Sequence, residues 1–297
     1  MAGGINELAT YWRRGTILNK VIYANIAVFI VLRIIGVACF LVGSDVNWLL
    51  SYIEWPSEPS QMLTQPWTLF TYMFAHYDVL HILFNMLWLY WFGVYFSEFG
   101  TPKQFFVLYL LGGIGGAALF AFAYNIIPAF SGASLLIGAS ASILAIVAAT
   151  AWVLPHYEIR LLLIGAVKLK WVAIITIFID FLSISGDNSG GHIAHLGGAI
   201  VGMIFGMALK RGADITAPFN RLFDSIAVLF SRRKGGLNPK NFHYRASTAT
   251  EEKRESGKKF TDEEIAKIDI ILDKIKKSGY ASLTEEEKNT LFKAGKK

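Results

Sequence analysis

Charged residues and cysteine are both scarce in this sequence. Only 17% of its 297 residues are Asp, Glu, Lys or Arg, whereas 54% are hydrophobic, a balance typical of membrane proteins. Cys39 is the single cysteine, which excludes an intrachain disulfide and a thiolate metal cluster. The sequence shows neither a phosphate-binding glycine loop nor an aromatic-basic pattern. We therefore expect no nucleic-acid partner.

Long apolar runs are what the sequence has instead. A helix needs about 20 mostly apolar residues to cross the hydrocarbon core. Six segments qualify: residues 21–43, 79–99, 103–127, 138–154, 160–182 and 193–209. The first run is too long for a cleaved signal peptide and leads straight into further spans. Arg33, near its middle, is expected to pair or snorkel, although the sequence identifies no partner. The pattern predicts an all-α, polytopic bundle of six transmembrane helices.

Lysine and arginine are missing from three long stretches, which are residues 34–102, 104–159 and 171–209. Positive residues concentrate in cytoplasmic loops, so this distribution predicts that both termini are cytoplasmic. It also accounts for the net charge of +6. We expect a bacterial inner (plasma) membrane location, because the chain is compact and shows no targeting extension.

Charge returns near the end of the chain. Residues 251–297 hold 12 Lys/Arg and 11 Asp/Glu. Thr261 and Glu264, and again Thr284 and Glu287, have capping-box spacing, which predicts a small soluble helical hairpin. The expected division is a cytoplasmic N-terminal segment at 1–15, a transmembrane domain at 16–210, a basic cytoplasmic linker at 211–257 and the hairpin at 258–297.

A turn of small residues, Gly138-Ala-Ser-Ala141, opens the fourth apolar run. Small residues are common where membrane helices touch, so this turn taken alone favours packing. The alternative is that the Ser140 hydroxyl performs chemistry inside the membrane. What decides between them is the set of polar residues on the other spans.

Those polar residues lie at similar depth. His81 and Asn85 are spaced i, i+4 on one helical face, and His195 lies about one turn inside the sixth span. A nucleophilic serine such as Ser140 needs a base, usually histidine, and donors for an oxyanion. His81, Asn85 and the Ser140 backbone N–H are candidate donors. The alternative is a buried hydrogen-bond network that ties the helices together.

A metal site is a further alternative. His192 and His195 are spaced i, i+3 and could share a metal with His76 or His81. Asp180, near the outer end of the fifth span, is the nearest carboxylate. The same spans carry no Cys, Asp or Glu that would complete the ligand set, so we expect neither a metal nor a cofactor.

Glycines recur every four residues along the sixth span, at Gly198, Gly202 and Gly206. Such a repeat forms a groove for another helix. The expected neighbour is the fourth span, through Gly138 and Ala141. This packing would bring His195 towards the serine.

Taken together, these motifs resemble the rhomboid intramembrane serine proteases. The matching features are His81-x-x-x-Asn85, Gly138-x-Ser140-x, the Ala194-His-Leu-Gly-Gly198 stretch and the GxxxG of the same span. Their order and their spans also match the family. The resemblance covers about residues 15–210 and leaves the tail outside.

The resemblance implies a six-helix bundle with a water-filled cavity open to the outer side. It implies peptide-bond hydrolysis in or beside a transmembrane helix, with Ser140 as nucleophile, His195 as general base and no acidic third member. His81, Asn85 and the Ser140 backbone N–H would form the oxyanion hole. Transmembrane protein substrates would enter from the bilayer between spans two and five. The oligomeric state is left open.

Two positions depart from the family pattern. Thr68 stands where many relatives have arginine, and Leu144 stands where some have a tyrosine that stacks on the catalytic histidine. The first outer loop, with Trp48, Trp55 and Trp67, resembles a membrane-dipping loop whose tryptophans suit the interface. The rival interpretations are a catalytically silent helix-binding or chaperone-like protein and, less well supported, a channel or transporter.

Overall fold

The structure, a computed structural model, describes residues 15–130, 132–161 and 165–231, and near the end of the chain residues 270, 271, 274 and 283–288. The chain divides into two units, 1–236 and 237–297. Residues 1–14 of the predicted segment 1–15 and most of the predicted hairpin at 258–297 lie outside the described residues.

Helices dominate the first unit. They are α1 (Ile17–Leu41), α2 (Asn47–Leu50), α3 (Pro59–Thr64), α4 (Thr68–Thr71), α5 (Val79–Phe96), α6 (Pro102–Ile126), α7 (Ser140–Val153), α8 (Leu169–Leu182), α9 (Ser189–Lys210) and α10 (Ala217–Ser231). Four of them, α1, α5, α6 and α9, are long and apolar enough to cross a membrane. The helices α7 and α8, with 14 residues each, lie at the fourth and fifth predicted spans. A polytopic helical bundle is therefore observed, and the count of six spans stays a prediction.

The fifth span begins later than predicted. The prediction placed it at 160–182, but Glu158–Leu161 (β3) and Gly165–Lys168 (β4) form an antiparallel hairpin before α8. An apolar run does not distinguish strand from helix. Gly165 has φ +92°, a conformation that glycine adopts at little cost, and it lets the chain reverse here.

The segment predicted as a basic linker, 211–257, contains α10. Phe219, Leu222 and Phe223 recur at helical spacing, which the charged flanks obscured. Lys103 pairs with Asp224 of this helix at 2.6 Å, with both side chains exposed. The pair joins α10 to the start of α6, but a pair so exposed contributes little to stability.

The helices α7 and α9 pack more closely than any other pair of described elements. A Cβ added at Gly198 would clash with the Ala141 carbonyl, and one at Gly202 with the Ala145 carbonyl. Their backbones therefore approach as closely as small residues allow. This approach brings the first half of α9 against the start of α7.

Arg33 has an identifiable partner. Its Nη1 donates to the Tyr77 carbonyl at 3.4 Å, and the guanidinium lies 4.7 Å above the centre of the Tyr77 ring. A cation over an aromatic face is stabilised by the ring quadrupole. Arg33 therefore connects α1 to the segment that leads into α5.

The first outer loop is hydrogen-bonded to the short strand that precedes Ser140. Trp55–Pro56 (β1) pairs antiparallel with Leu135–Leu136 (β2). Trp55 is only 8% exposed, whereas Trp48 and Trp67 are 57% and 48% exposed. The expectation of an interfacial tryptophan is therefore wrong for Trp55, because strand pairing turns its side chain into the core.

The described part of the second unit shows a capping box. The Thr284 backbone N–H donates to Glu287 Oε2 at 2.7 Å, and the Glu287 N–H donates to Thr284 Oγ1 at 3.3 Å. Residues 285–288 are helical. The predicted helix start at Thr284 is observed, and the rest of the hairpin stays a prediction.

Candidate active site

Ser140 is the first residue of α7, and a glycine makes room for it. Gly138 has φ +121°, and a Cβ there would lie 2.7 Å from the His81 Cε1. Gly138 therefore lies against His81, and its predicted packing against the sixth span stays a prediction. The residue before the helix, Ala139, provides no side-chain cap. The first backbone N–H groups of α7 thus lack intrahelical acceptors, and the positive end of the helix dipole lies at Ser140.

Three helices contribute to one cavity of about 410 Å³. Asp78 accepts from the His81 N–H at 2.8 Å, which starts α5 so that His81 and Asn85 face this cavity. Ser140 from α7 and His195 from α9 line the same space. All four residues predicted to act together share one cavity. No hydrogen bond joins Ser140 Oγ to His195 among the described residues; such bonds commonly tighten only when substrate is bound.

His76 holds Asn85 in place beside the cavity, a contact that the sequence did not reveal. It is fully buried, and its Nε2 lies 2.8 Å from Asn85 Nδ2 and accepts from the Ala139 N–H at 3.3 Å. Two donors at Nε2 place the ring proton on Nδ1. Because an amide nitrogen carries two N–H groups, Asn85 keeps one for the cavity. Burial, assisted by the nearby His81, lowers the pKa of His76 to about 3.

Asp180 of α8 brings a carboxylate to His195. Its Oδ1 lies 2.8 Å from His195 Nδ1 and 2.8 Å from His192 Nδ1. The side chain of Asp180 is buried. The sequence suggested Asp180 only as a metal ligand, and the family resemblance implied no acid at this place. The available signal was an acidic residue within a predicted span, which is costly unless it is paired.

The grouping also bears on the metal alternative. Ligand atoms of Asp180, His192 and His195 lie within 4.8 Å of one another, while His76 and His81 are not in this group. His81 instead packs edge-on against His76, with ring centres 5.0 Å apart. Asp180, and neither His76 nor His81, is therefore the residue that groups with His192 and His195.

The cavity combines the parts that acyl transfer needs. A hydroxyl, an imidazole, an amide donor and a helix N-terminus line a common space, which suits attack on a carbonyl and stabilisation of the resulting oxyanion. Glycines at the helix contact and at the serine turn make this convergence sterically possible.

Comparison with known proteins identifies the family of the chain. Residues 63–212 match the model of the rhomboid domain, and residues 256–297 match a family of unknown function (DUF6576). The chain is 29% identical over 211 residues to RHOMBOID-like protein 12, mitochondrial, of Arabidopsis thaliana, covering 67% of this chain and 60% of that protein. It is 27% identical over 218 residues to the rhomboid protease GlpG of Yersinia pseudotuberculosis, covering 68% and 69%.

A third relative is Rhomboid protein 1, mitochondrial, of Saccharomyces cerevisiae, which is 26% identical over 150 residues. The alignment spans 41% of the yeast protein and 48% of this chain. The rhomboid match covers half of the chain and contains every residue that lines the cavity. The chain is a polytopic membrane protein that belongs to the rhomboid family.

Proposed function

We propose that the protein is an intramembrane serine endopeptidase that cleaves membrane proteins in or near a transmembrane helix. The observation that carries the proposal is the cavity shared by Ser140, His195, His81 and Asn85. A packing or hydrogen-bond role alone would not need an open space between a serine and a histidine. Its similarity to a rhomboid protease supports the same activity.

In the proposed reaction, Ser140 Oγ attacks the scissile carbonyl while His195 Nε2 accepts its proton. Asn85, His81 and the Ser140 N–H stabilise the oxyanion of the tetrahedral intermediate. His195 then gives the proton to the leaving amine, and an ester links the substrate to the serine. Water, activated by the same histidine, hydrolyses that ester. No metal or cofactor takes part.

The proposed substrates are transmembrane proteins that reach the cavity from the bilayer, between α5 and α8. Both helices expose large apolar side chains, among them Leu83 and Phe84 on α5 and Phe178 and Phe181 on α8. These suit contact with lipid and with a substrate helix. We also propose that the cavity opens to the extracytoplasmic side of a bacterial inner membrane, although two of the relatives are mitochondrial by name.

Covalent labelling of detergent-purified protein by a fluorescent fluorophosphonate tests the activity. We expect wild type to be labelled and the Ser140→Ala and His195→Ala variants to lose labelling. Ser142→Ala is the matched control, because Ser142 lies two residues away and is fully buried. It should label like wild type.

An unlabelled but folded wild-type protein would overturn the protease proposal and favour the catalytically silent binding protein. Retained labelling in Ser140→Ala would show that another hydroxyl is the nucleophile. Folding of each variant is checked by gel filtration and circular dichroism, so that lost labelling is not mistaken for lost structure.

A further inference from the structure

Asp180 makes the closest polar contact of the histidine that faces the serine. Its Oδ1 lies 2.8 Å from His195 Nδ1, and the side chain of Asp180 is only 8% exposed. This is the length of a charge-assisted hydrogen bond between a ring N–H and a carboxylate. The contact joins α8 to α9 at the edge of the cavity.

The contact determines which nitrogen of His195 carries the proton. An ionised carboxylate only accepts hydrogen bonds, so Nδ1 must donate. The proton then sits on Nδ1 and leaves the Nε2 lone pair free, which is the tautomer that a base requires to accept a serine proton. Without a partner at Nδ1, either nitrogen could hold the proton.

Residue 144 explains why such a partner matters in this chain. It is a buried leucine, so α7 offers no aromatic ring at this position to stack on His195. The His195 side chain is 19% exposed and borders an open cavity. A hydrogen bond to a buried carboxylate fixes the ring where stacking does not.

A bridging metal fits the distances less well. Ligands held about 2.0–2.1 Å from one ion stand roughly 3.0 Å or more apart, whereas Asp180 Oδ1 is 2.8 Å from both Nδ1 atoms. A metal on His195 Nδ1 would also force the remaining proton onto Nε2 and remove the base. Direct hydrogen bonding and metal binding therefore predict opposite effects on the chemistry.

We propose that Asp180 is a positioning residue that orients His195 and fixes its tautomer, so that Ser140, His195 and Asp180 form a triad in which the carboxylate stays ionised. His192 shares the same Oδ1 but is not among the residues that line the cavity. This inference rests on the proposed function and extends it, because it assigns an acidic member that the family resemblance does not imply.

The test compares three variants by their rate of fluorophosphonate labelling. Asp180→Ala removes the acceptor and should slow labelling roughly 100-fold. Asp180→Asn should also slow labelling, because its amide can turn and donate to Nδ1, which places the His195 proton on Nε2. His192→Ala is the matched control, because it deletes the other hydrogen bond to the same Oδ1. Its rate should stay within about twofold of wild type.

A second readout does not depend on activity. In ¹⁵N-histidine-labelled Ser140→Ala protein, NMR should find His195 protonated at Nδ1. Adding Asp180→Ala should move the proton wholly or partly to Nε2, whereas adding His192→Ala should not. If wild type fails to label, the protease proposal fails, yet this spectrum still decides whether Asp180 sets the tautomer.

Three results would overturn the inference. One is that Asp180→Ala and His192→Ala slow labelling equally, which would mean that Asp180 only holds α8 and α9 together. Another is an unchanged His195 tautomer in the Asp180→Ala background. The third is stoichiometric Zn²⁺ binding that slows labelling of wild type and is lost in both Asp180→Ala and His192→Ala, which would identify a metal site.

Discussion

His76 shows how a single buried side chain couples the site to pH. Its pKa in the folded protein is about 3, below the value of about 6.5 for an unfolded histidine. The folded state therefore disfavours protonation, and this stabilisation is complete above pH 6.5. We expect the free energy of unfolding to fall as pH drops from 6.5 towards 3, by at most about 1.4 kcal/mol per pH unit from this group.

The measurement is denaturant unfolding in detergent at pH 7 and pH 5, for wild type and His76→Gln. Glutamine places an amide oxygen near the Nε2 position and does not titrate. The His76→Gln protein should therefore lose less stability between pH 7 and pH 5 than wild type does. Equal losses in the two proteins would mean that His76 does not carry the effect.

The residues of the site divide by what sequence patterns can reveal. His81 and Asn85 were predicted because their i, i+4 spacing puts them on one helical face. Ser140 was predicted from its small-residue turn and from the polar residues at similar depth on the other spans. The contact of His76 with Asn85 depends on an irregular turn, and that of Asp180 with His195 depends on how α8 is rotated about its axis. Neither quantity is encoded in a local pattern, so these two contacts emerge only from the fold.

Among the elements, the contact between α7 and α9 sets the geometry of the site. A methyl group at Gly198 or Gly202 would meet the carbonyl of Ala141 or Ala145, and backbone can only move away as a whole. We expect Gly202→Ala to destabilise the protein by about 1–3 kcal/mol and to reduce fluorophosphonate labelling. Ile204→Ala, on the same helix but 47% exposed, is the control and should leave labelling intact.

Thermal unfolding in detergent, followed by circular dichroism, measures the stability difference. A Gly202→Ala protein as stable as wild type would mean that the two helices separate without cost. The glycine repeat itself was readable from sequence, whereas the hairpin before α8 and the helix α10 were not. The hairpin was missed because its residues lie in a long apolar run that resembles a transmembrane helix. The helix α10 was missed because charged residues surround its apolar positions.

For the whole molecule, the distribution of lysine and arginine predicts orientation. In a Cys39→Ala background, we expect the Ser60→Cys variant to react with an impermeant maleimide in right-side-out spheroplasts. The Ala213→Cys variant should react only after lysis. Both positions are exposed. Ser57, in the same outer loop as Ser60, is unsuitable for labelling because it is buried and accepts a hydrogen bond from the Ser134 N–H. The opposite labelling pattern would invert the topology and put the cavity on the cytoplasmic side.

The length of α7 has a consequence for where the proposed reaction would take place. Its 14 residues rise about 21 Å, against a hydrocarbon thickness of roughly 30 Å. If the far end of α7 lies at one interface, Ser140 at its start would lie roughly 9 Å beneath the other. Hydrophobic mismatch then acts as a ruler, and a thinner or thicker bilayer would shift the point along a substrate helix that meets the hydroxyl.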